Sequence, residues 1–318
     1  MTLDEVRVLG EAIDREIAKA VVDQSEVVRF LAIALFSSGH VLLEGPPGTA
    51  KTLLAQSFAR TLGLDFGRIQ FTPDLMPGDI IGSNLFNFQT SSFELTRGPV
   101  FCELLLADEI NRTPPKTQAA LLEAMQERSV TIDGRTETLS DRFTVVATQN
   151  PIEQQGVYPL PEAQLDRFLF KLAIDYPTLE AERAIVTQYG ARSGAPHPED
   201  SGVSQVADGG QIADAIAAVQ GVKLVEEVTG YIVDLIRATR THPDLATGAS
   251  PRAASALASA SRAAAALDGR DYVIPDDVKL LAPSLLRHRI ILSASAEIDG
   301  RRGDEVVAQL IDQVEAPR

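Results

Sequence analysis

The segment Gly45–Thr52, with the sequence Gly-Pro-Pro-Gly-Thr-Ala-Lys-Thr, has residue types and spacing that suit the binding of phosphate. An apolar run precedes it and an amphipathic run follows it, so a short buried strand and a helix are expected on its two sides. Glycine lets successive backbone N–H groups turn into such a loop, and the N-terminus of the helix adds positive partial charge. Lys51 is expected to reach the β- and γ-phosphates of a nucleotide, and the Thr52 hydroxyl to hold Mg²⁺. The alternative is a glycine-rich turn with an incidental lysine.

The expected phosphate ligands are the residues of the loop itself: Gly45, Pro46, Pro47, Gly48, Thr49, Ala50, Lys51 and Thr52. Ala50 stands where loops of this kind usually carry a second glycine, a small departure that a loop of this width tolerates. Because the pattern occurs in many nucleotide-binding proteins, other residues must decide the class of protein.

Two acidic residues, Asp108 and Glu109, follow an apolar run at 104–107. Such a run predicts a strand buried in a parallel sheet, and ligands bind at the carboxyl ends of parallel strands. Asp108 is therefore expected to help hold Mg²⁺, and Glu109 to act as general base or polarising group for an attacking water. An isolated acidic pair after a strand is more often a helix N-cap, but its place downstream of a phosphate loop favours the catalytic interpretation.

Two further residues lie beside predicted strands of the same domain. Asn150 follows an apolar strand, and its amide is expected to orient the lytic water or the γ-phosphate; the alternative is a simple Asn-Pro turn. Arg167 precedes another strand and lies too far round the domain to reach its own nucleotide easily. We expect it to reach the γ-phosphate of a neighbouring subunit, as arginine fingers do. A surface ion pair with Asp166 or Glu162 is the alternative.

Arg252 is placed in the first turn of a helix that Ser250 caps and Pro251 begins. From a lid domain, this arginine is expected to touch the γ-phosphate and to couple the state of the nucleotide to the angle of the lid. A solvent-facing arginine without a function is the alternative.

The pattern along the chain predicts an α/β fold, a doubly wound parallel-sheet core with a small all-helical C-terminal lid domain. Strands are predicted at 41–43, 66–71, 100–107, 143–148 and 168–174. Helices are predicted within 3–38 with a break near 22–24, and at 115–128, 179–189, 211–219, 222–241, 251–268, 275–288 and 303–314. The predicted division places the core at 1–190, a linker at 191–210 and the lid at 211–318.

Residues 72–99 interrupt the alternation of strands and helices with several turn residues and two short runs that can pair as a hairpin. The large apolar residues of this segment either pack against the sheet or form a surface that faces a partner; they are Leu85, Phe86, Phe88 and Phe93. A second hairpin is predicted at 129–139, because Asp133-Gly134 lies between alternating residues.

Composition narrows the possible partners and surroundings. The net charge of −15 opposes binding to nucleic acid or to an anionic membrane, so neither a nucleic acid partner nor membrane insertion is expected. Cys102 is the single cysteine and cannot form an internal disulfide, and the acidic N-terminus does not suit a signal peptide. No apolar run approaches the ~18–20 residues that span a bilayer, so a cytoplasmic protein is expected. The four histidines, His40, His197, His242 and His288, show no spacing typical of metal ligands.

Together these motifs resemble the AAA+ ATPases, and more narrowly the MoxR family, over nearly the whole chain. The passages that carry the resemblance are GPPGTAKT at 45–52, ADEINR at 107–112, QAALLEAMQE at 118–127, ATQNPIEQ at 147–154 and YPLPEAQLDRF at 158–168. The resemblance identifies Lys51 and Thr52 as Walker A residues, Asp108 and Glu109 as Walker B residues, Asn150 as sensor 1, Arg167 as the arginine finger and Arg252 as sensor 2. It also identifies 72–99 as the helix-2 insert and 129–139 as the hairpin before sensor 1.

The resemblance further implies ATP and Mg²⁺ as cofactors and a homo-oligomeric ring, expected to be a hexamer. It implies a chaperone-like role in the maturation of client proteins or the insertion of cofactors, with a partner that carries a von Willebrand factor A-type domain. Val22 and Gln24 are expected at the adenine, Asp23 departs from the family pattern between them, and Arg112 has no derived role. The alternatives in function are a nucleic-acid motor and a nucleotide-gated scaffold with little hydrolysis.

Overall fold

The computed structural model describes residues 1–89, 91–151, 156–191 and 194–317. Residues 152–154 of the fourth motif passage and residues 192–193 of the predicted linker lie outside this part of the chain. The strands are β1 Val41–Glu44, β2 Phe66–Gln70, β3 Gly82–Asn87, β4 Ser92–Arg97, β5 Leu104–Asp108, β6 Ser129–Ile132, β7 Arg135–Thr138, β8 Thr144–Gln149, β9 Phe170–Ala173, β10 Leu245–Thr247 and β11 Ile291–Leu292.

The helices are α1 Leu3–Ile17, α2 Ser25–Phe36, α3 Lys51–Thr61, α4 Pro77–Ile81, α5 Pro115–Glu127, α6 Glu162–Leu165, α7 Leu179–Tyr189, α8 Gly209–Gln220, α9 Glu226–Thr239, α10 Pro251–Leu267, α11 Pro275–Leu286, α12 Ala294–Ile298 and α13 Gly303–Gln313. Short 3₁₀ turns cover Ile110–Arg112 and Pro198–Ser201. None of the helices in the described ranges has the length and apolar composition that a membrane crossing requires.

A five-stranded parallel sheet forms the centre of the first part of the chain, in the order β2-β5-β8-β1-β9. Every residue of β5 is buried, as expected for a strand covered by helices on both faces. The predicted α/β core and its buried strands are therefore confirmed. The carboxyl ends of β1, β5 and β8 lie side by side at one edge, which is where the sequence placed its polar residues.

The strand predicted at 100–107 begins later and ends later, at Leu104 and Asp108. The Phe101 N–H donates to the Gly98 carbonyl in a turn, so the chain does not enter the sheet at 100–103. Pairing begins where the Leu104 N–H donates to the Asp65 carbonyl. The apolar residues Val100 and Cys102 before this point are buried in the core. Their burial explains why the sequence pattern predicted a strand there.

Both predicted hairpins are present. β3 pairs with β4, and β6 pairs with β7 around Asp133 and Gly134, whose φ angles of 47° and 79° suit a two-residue turn. On β3–β4, Phe86 contacts Phe88 and Phe93 edge to face. The three rings are 44%, 87% and 71% exposed and Leu85 is 57% exposed, so the alternative that these residues pack against the sheet is wrong.

The C-terminal part is mainly helical but not all-helical. β10 and β11 form a small antiparallel pair, which two- and three-residue runs do not reveal in a sequence. The helix predicted from 222 starts at Glu226, because the Lys223 N–H pairs with the Asp271 carbonyl and keeps the preceding residues extended. The short helix α12 was also not predicted.

The alanine-rich helix α10 is the centre of the C-terminal core. Ala260 and the run at 263–266 are fully buried, as expected for a closely packed helix. α10 contacts α1 and α2 as well as α8, α9 and α11, so one apolar cluster extends from the N-terminal helices to α13. The boundaries predicted at 190 and 211 stay a prediction.

Candidate functional site

A cavity of about 550 Å³ lies over the segment that joins β1 to α3. We call it the phosphate-loop cavity. Its walls include Pro47 to Leu53, Asp108, Glu109, Thr148, Asn150, Val22 and Gln24. The structure thus brings together residues from three neighbouring strand ends that are far apart in the sequence, at the sheet edge where parallel α/β folds bind ligands.

The loop conformation depends on three small residues. A Cβ atom at Gly45 would lie 2.3 Å from the Ile174 carbonyl oxygen, so only glycine fits between β1 and the end of β9. Gly48 has a φ of +82° in open space, and Ala50 has a φ of 58° where the helix α3 begins. The predicted replacement of glycine by Ala50 is therefore tolerated in a left-handed conformation, at a cost of about 1 kcal/mol.

The Lys51 ammonium lies inside the loop. Its Nζ atom donates to the carbonyl oxygens of Gly45 and Pro46 at 3.0 and 2.7 Å and to Thr49 Oγ1 at 3.2 Å. Partial burial lowers the pKa of Lys51, and the nearby negative charges of Asp108 and Glu109 oppose that shift. The loop therefore presents a half-buried cation, which phosphate oxygens would stabilise. Gly45 and Pro46 accept hydrogen bonds from Lys51 through their carbonyl oxygens and do not line the cavity.

Asp108 and Thr52 form the part of the cavity that suits a metal ion. The Thr52 hydroxyl is 3.4 Å from Asp108 Oδ2, and the Thr148 hydroxyl donates to Oδ1 at 2.7 Å. A carboxylate and a hydroxyl that converge in this way are the oxygen ligands that Mg²⁺ prefers when phosphates complete its shell. The described residues contain no cluster of three His, Cys, Asp or Glu side chains that would hold a metal alone.

Glu109 is held by neighbours that sequence reasoning did not identify. It has a left-handed backbone with φ of 58°, and Gln70 Nε2 donates to its Oε2 atom at 2.7 Å. Arg112, for which no role was predicted, lies with its Nε atom 3.0 Å from the same oxygen. Arg68 was also missed; its Nη2 atom is 2.8 Å from Asp108 Oδ2. The sequence signal that could have identified these neighbours is the polar residues at alternate positions 68 and 70 of a predicted strand.

The other residues predicted to bind the nucleotide lie in or beside the same cavity. Asn150 is 8% exposed and lines the cavity after β8, and Val22 and Gln24 line its far end. Asp23 has a φ of 60° and accepts from the Thr178 hydroxyl at 3.3 Å, so its side chain is engaged away from the cavity. The far wall also contains residues that the sequence did not suggest: Pro177, Ile185, Tyr189, Ala195, Pro196 and His197.

Arg167 and Arg252 are not in the phosphate-loop cavity. They line a second cavity of about 240 Å³, which we call the arginine cavity, together with Arg128 and Arg289. Asp166 pairs there with Arg289 at 2.7 Å, and Arg167 donates to the Ala163 carbonyl at 2.9 Å. The expected contact of Arg252 with a γ-phosphate bound in the same chain is therefore not provided by this arrangement.

The arginine cavity is built from both ends of the chain. The side chain of Arg289 is only 3% exposed, and it donates to the carbonyls of Phe168 and Leu169, which directly follow Arg167. This residue follows α11, so the C-terminal helices hold the loop that carries Arg167. Four guanidinium groups and one carboxylate give this surface a net positive charge that suits an anion.

Comparison with known proteins agrees with this fold and site. Residues 40–170 match the sequence model of the ATPase family associated with various cellular activities (AAA), and residues 237–310 match that of the AAA lid domain. Chaperone MoxR1 of Mycobacterium tuberculosis is 45% identical over 99% of this chain and 84% of its own length. Protein YeaC of Bacillus subtilis is 44% identical over 97% of this chain and 95% of its own length.

A solved structure extends the likeness to three dimensions. The crystal structure of a protein from Cytophaga hutchinsonii is 38% identical, covers 99% of this chain and 97% of its own, and superposes with a TM-score of 0.91. Protein MoxR of Methylorubrum extorquens is 34% identical over 95% of this chain and 92% of its own length. The fold is that of an AAA+ ATPase with a lid domain. Within that class, the chain belongs to the MoxR family.

Proposed function

We propose that this chain binds and hydrolyses ATP with Mg²⁺ in a ring of identical subunits, expected to be a hexamer. The observation that carries this proposal is the separation of two sets of residues. Lys51, Thr52, Asp108 and Glu109 line one cavity, while Arg167 and Arg252 line another. Both sets can contact one γ-phosphate only if the second set comes from a neighbouring subunit. A head-to-tail ring provides this arrangement.

Each residue has a distinct part in this proposal. The loop N–H groups and Lys51 bind the phosphates, and Glu109 accepts a proton from the attacking water once Gln70 and Arg112 release it. Thr52 and Asp108 would hold Mg²⁺, which would neutralise negative charge on the phosphates. Asn150 orients the water or the γ-phosphate. Arg167 and Arg252 of the neighbouring subunit stabilise the charge that develops in the transition state.

We further propose that hydrolysis remodels client proteins in the cytoplasm, either to mature enzyme complexes or to insert cofactors or metals. The name of the relative Chaperone MoxR1 supports a chaperone role, and a partner that carries a von Willebrand factor A-type domain is part of this proposal. The exposed phenylalanines of β3–β4 provide an apolar surface for such a client. The net charge of −15 argues against the alternative of a nucleic-acid motor.

Steady-state ATP hydrolysis by the wild type and by Glu109→Gln tests the enzymatic part. We expect the variant to bind ATP and to lose about 10²- to 10⁴-fold in rate, because only the proton acceptor is removed. A wild type that binds ATP but does not hydrolyse it at any protein concentration would favour the scaffold instead. Capture of clients on the Glu109→Gln variant with ATP then tests the remodelling part.

A further inference from the structure

The guanidinium of Arg68 covers the carboxylate oxygen on which a metal ion would depend. Its Nη2 atom lies 2.8 Å from Asp108 Oδ2, and the Thr52 hydroxyl approaches the same oxygen at 3.4 Å. The Asp108 side chain is 12% exposed and the Arg68 side chain 46% exposed, so the arginine closes the solvent side of the carboxylate. One oxygen atom is therefore shared between the place of a metal ion and a cation of the protein itself.

The fold places Arg68 there through the order of the strands. β2 is the edge strand of the central sheet and pairs in parallel with β5, so that Arg68 lies opposite Leu106 and Gln70 opposite Asp108. Residues two apart on a strand share a face, and both side chains therefore reach the acids at the end of β5. Arg68 Nη2 also lies 3.3 Å from Gln70 Oε1, which fixes the direction of the guanidinium.

We propose that Arg68 is a resident counter-cation of Asp108 that keeps divalent cations out of the site until a nucleotide brings one. This proposal rests on the proposed function, since it assigns a condition for loading of the same site. Without a nucleotide, a divalent cation has one carboxylate and one hydroxyl as protein ligands and must displace a charge-assisted hydrogen bond. With a nucleotide, the phosphates supply ligands for the metal and a bidentate partner for the displaced guanidinium.

The test uses Mn²⁺ as the probe and the nucleotide-free protein. Electron paramagnetic resonance of free Mn²⁺ gives its dissociation constant for the wild type, Arg68→Gln and Arg68→Met. Both variants are expected to bind Mn²⁺ about tenfold more tightly than the wild type, because the competing charge is gone. Arg68→Lys keeps a cation near Asp108 and is expected to stay within about twofold of the wild type.

Two variants make the result specific. Arg135→Gln removes an exposed arginine from the start of β7 and changes the net charge equally, so it is expected to match the wild type. Adding Asp108→Asn to Arg68→Gln is expected to abolish the gain, because the metal then has no carboxylate. Arg68 is half-exposed on an edge strand, and thermal melts verify that its variants stay folded.

The outcomes separate this proposal from the proposed function. If Mn²⁺ binds Arg68→Gln and Arg68→Met no more tightly than Arg135→Gln, the counter-cation proposal is overturned. Binding of a fluorescent ATP analogue with Mg²⁺ in excess is measured on the same samples. Failure of the wild type to bind that analogue would overturn the proposed function itself, whereas normal binding with unchanged Mn²⁺ affinity would overturn only the role of Arg68.

Discussion

Replacing His40 by glutamine is expected to remove part of the pH dependence of stability. His40 precedes β1 and lines the arginine cavity. Its Nδ1 atom accepts from the Val145 N–H at 3.0 Å, so the hydrogen is on Nε2, which donates to the Met125 carbonyl at 3.1 Å. The pKa of His40 is lowered from 6.5 to about 4, mainly by burial. The hydrogen bond to the Met125 carbonyl opposes this shift, and the positive charges of Arg128 and Arg252 contribute to it.

The direction of the effect follows from this shift. Between pH 6.5 and about pH 4, His40 is protonated in the unfolded chain but stays neutral in the folded chain. The folded state is therefore not destabilised by His40 above pH 6.5, and it loses stability progressively as the pH falls to about 4. At pH 5.5 the loss relative to pH 7.5 is about 1 kcal/mol for one such histidine. This range avoids the region of the isoelectric point near 4.7, where the protein is least soluble.

Urea unfolding at pH 7.5 and 5.5 measures the effect as a difference between variants. The decrease in the free energy of unfolding from pH 7.5 to pH 5.5 should be about 1 kcal/mol smaller in His40→Gln than in the wild type. His288→Gln should behave similarly, because burial also lowers the pKa of His288, whose Nε2 atom donates to the Phe168 carbonyl. His242→Gln serves as the control for loss of a less buried imidazole. Equal pH dependence in His40→Gln and the wild type would refute the reasoning.

Three other predictions concern the phosphate loop, the arginine cavity and the β3–β4 hairpin. Gly45→Ala places a Cβ atom 2.3 Å from a backbone carbonyl oxygen, so the free energy of unfolding should fall by about 1–3 kcal/mol and most nucleotide affinity should be lost. Gly78 has open space around it, so Gly78→Ala should change neither property. Equal melting temperatures and equal nucleotide binding of the two variants would contradict the close contact at Gly45. Asp166→Ala leaves the buried Arg289 guanidinium without its carboxylate, so the free energy of unfolding should fall by about 3 kcal/mol and ATPase activity should also fall. A wild-type denaturation midpoint would show that this ion pair does not hold the segment that carries Arg167. Phe88→Ser changes a side chain that is 87% exposed, so the melting temperature and the ATPase rate should stay unchanged while client capture falls. A lower melting temperature would indicate that the Phe88 side chain packs against the domain.

The phosphate loop and the acids of β5 were predictable because their chemistry constrains neighbouring residues. Glycine at 45 is required by a carbonyl oxygen 2.3 Å from where a Cβ would lie, and the loop between strand and helix makes that requirement visible as a pattern. Asp108 follows an apolar strand, and any acid there reaches the edge of a parallel sheet. Local sequence therefore contained the information that these positions needed.

Contacts that depend on the order of strands were not predictable in the same way. Arg68 reaches Asp108 only because β2 lies next to β5, and the two residues are 40 positions apart. Likewise, Arg167 and Arg252 line one cavity because α10, which carries Arg252, packs against α11. Arg289 follows α11 and donates to the Phe168 carbonyl beside Arg167. The pair β10–β11 joins two segments whose apolar runs are too short to indicate strands.

The central claim is that one subunit contributes Lys51 and the acids to each nucleotide while its neighbour contributes Arg167. ATP hydrolysis by an equal mixture of Lys51→Ala and Arg167→Ala subunits tests it most directly, after each variant alone is shown to be inactive. In head-to-tail rings about one interface in four joins an intact loop to an intact arginine, so the mixture should regain about a quarter of the wild-type rate. Full activity of Arg167→Ala alone, or a mixture no faster than its separate components, would contradict the claim.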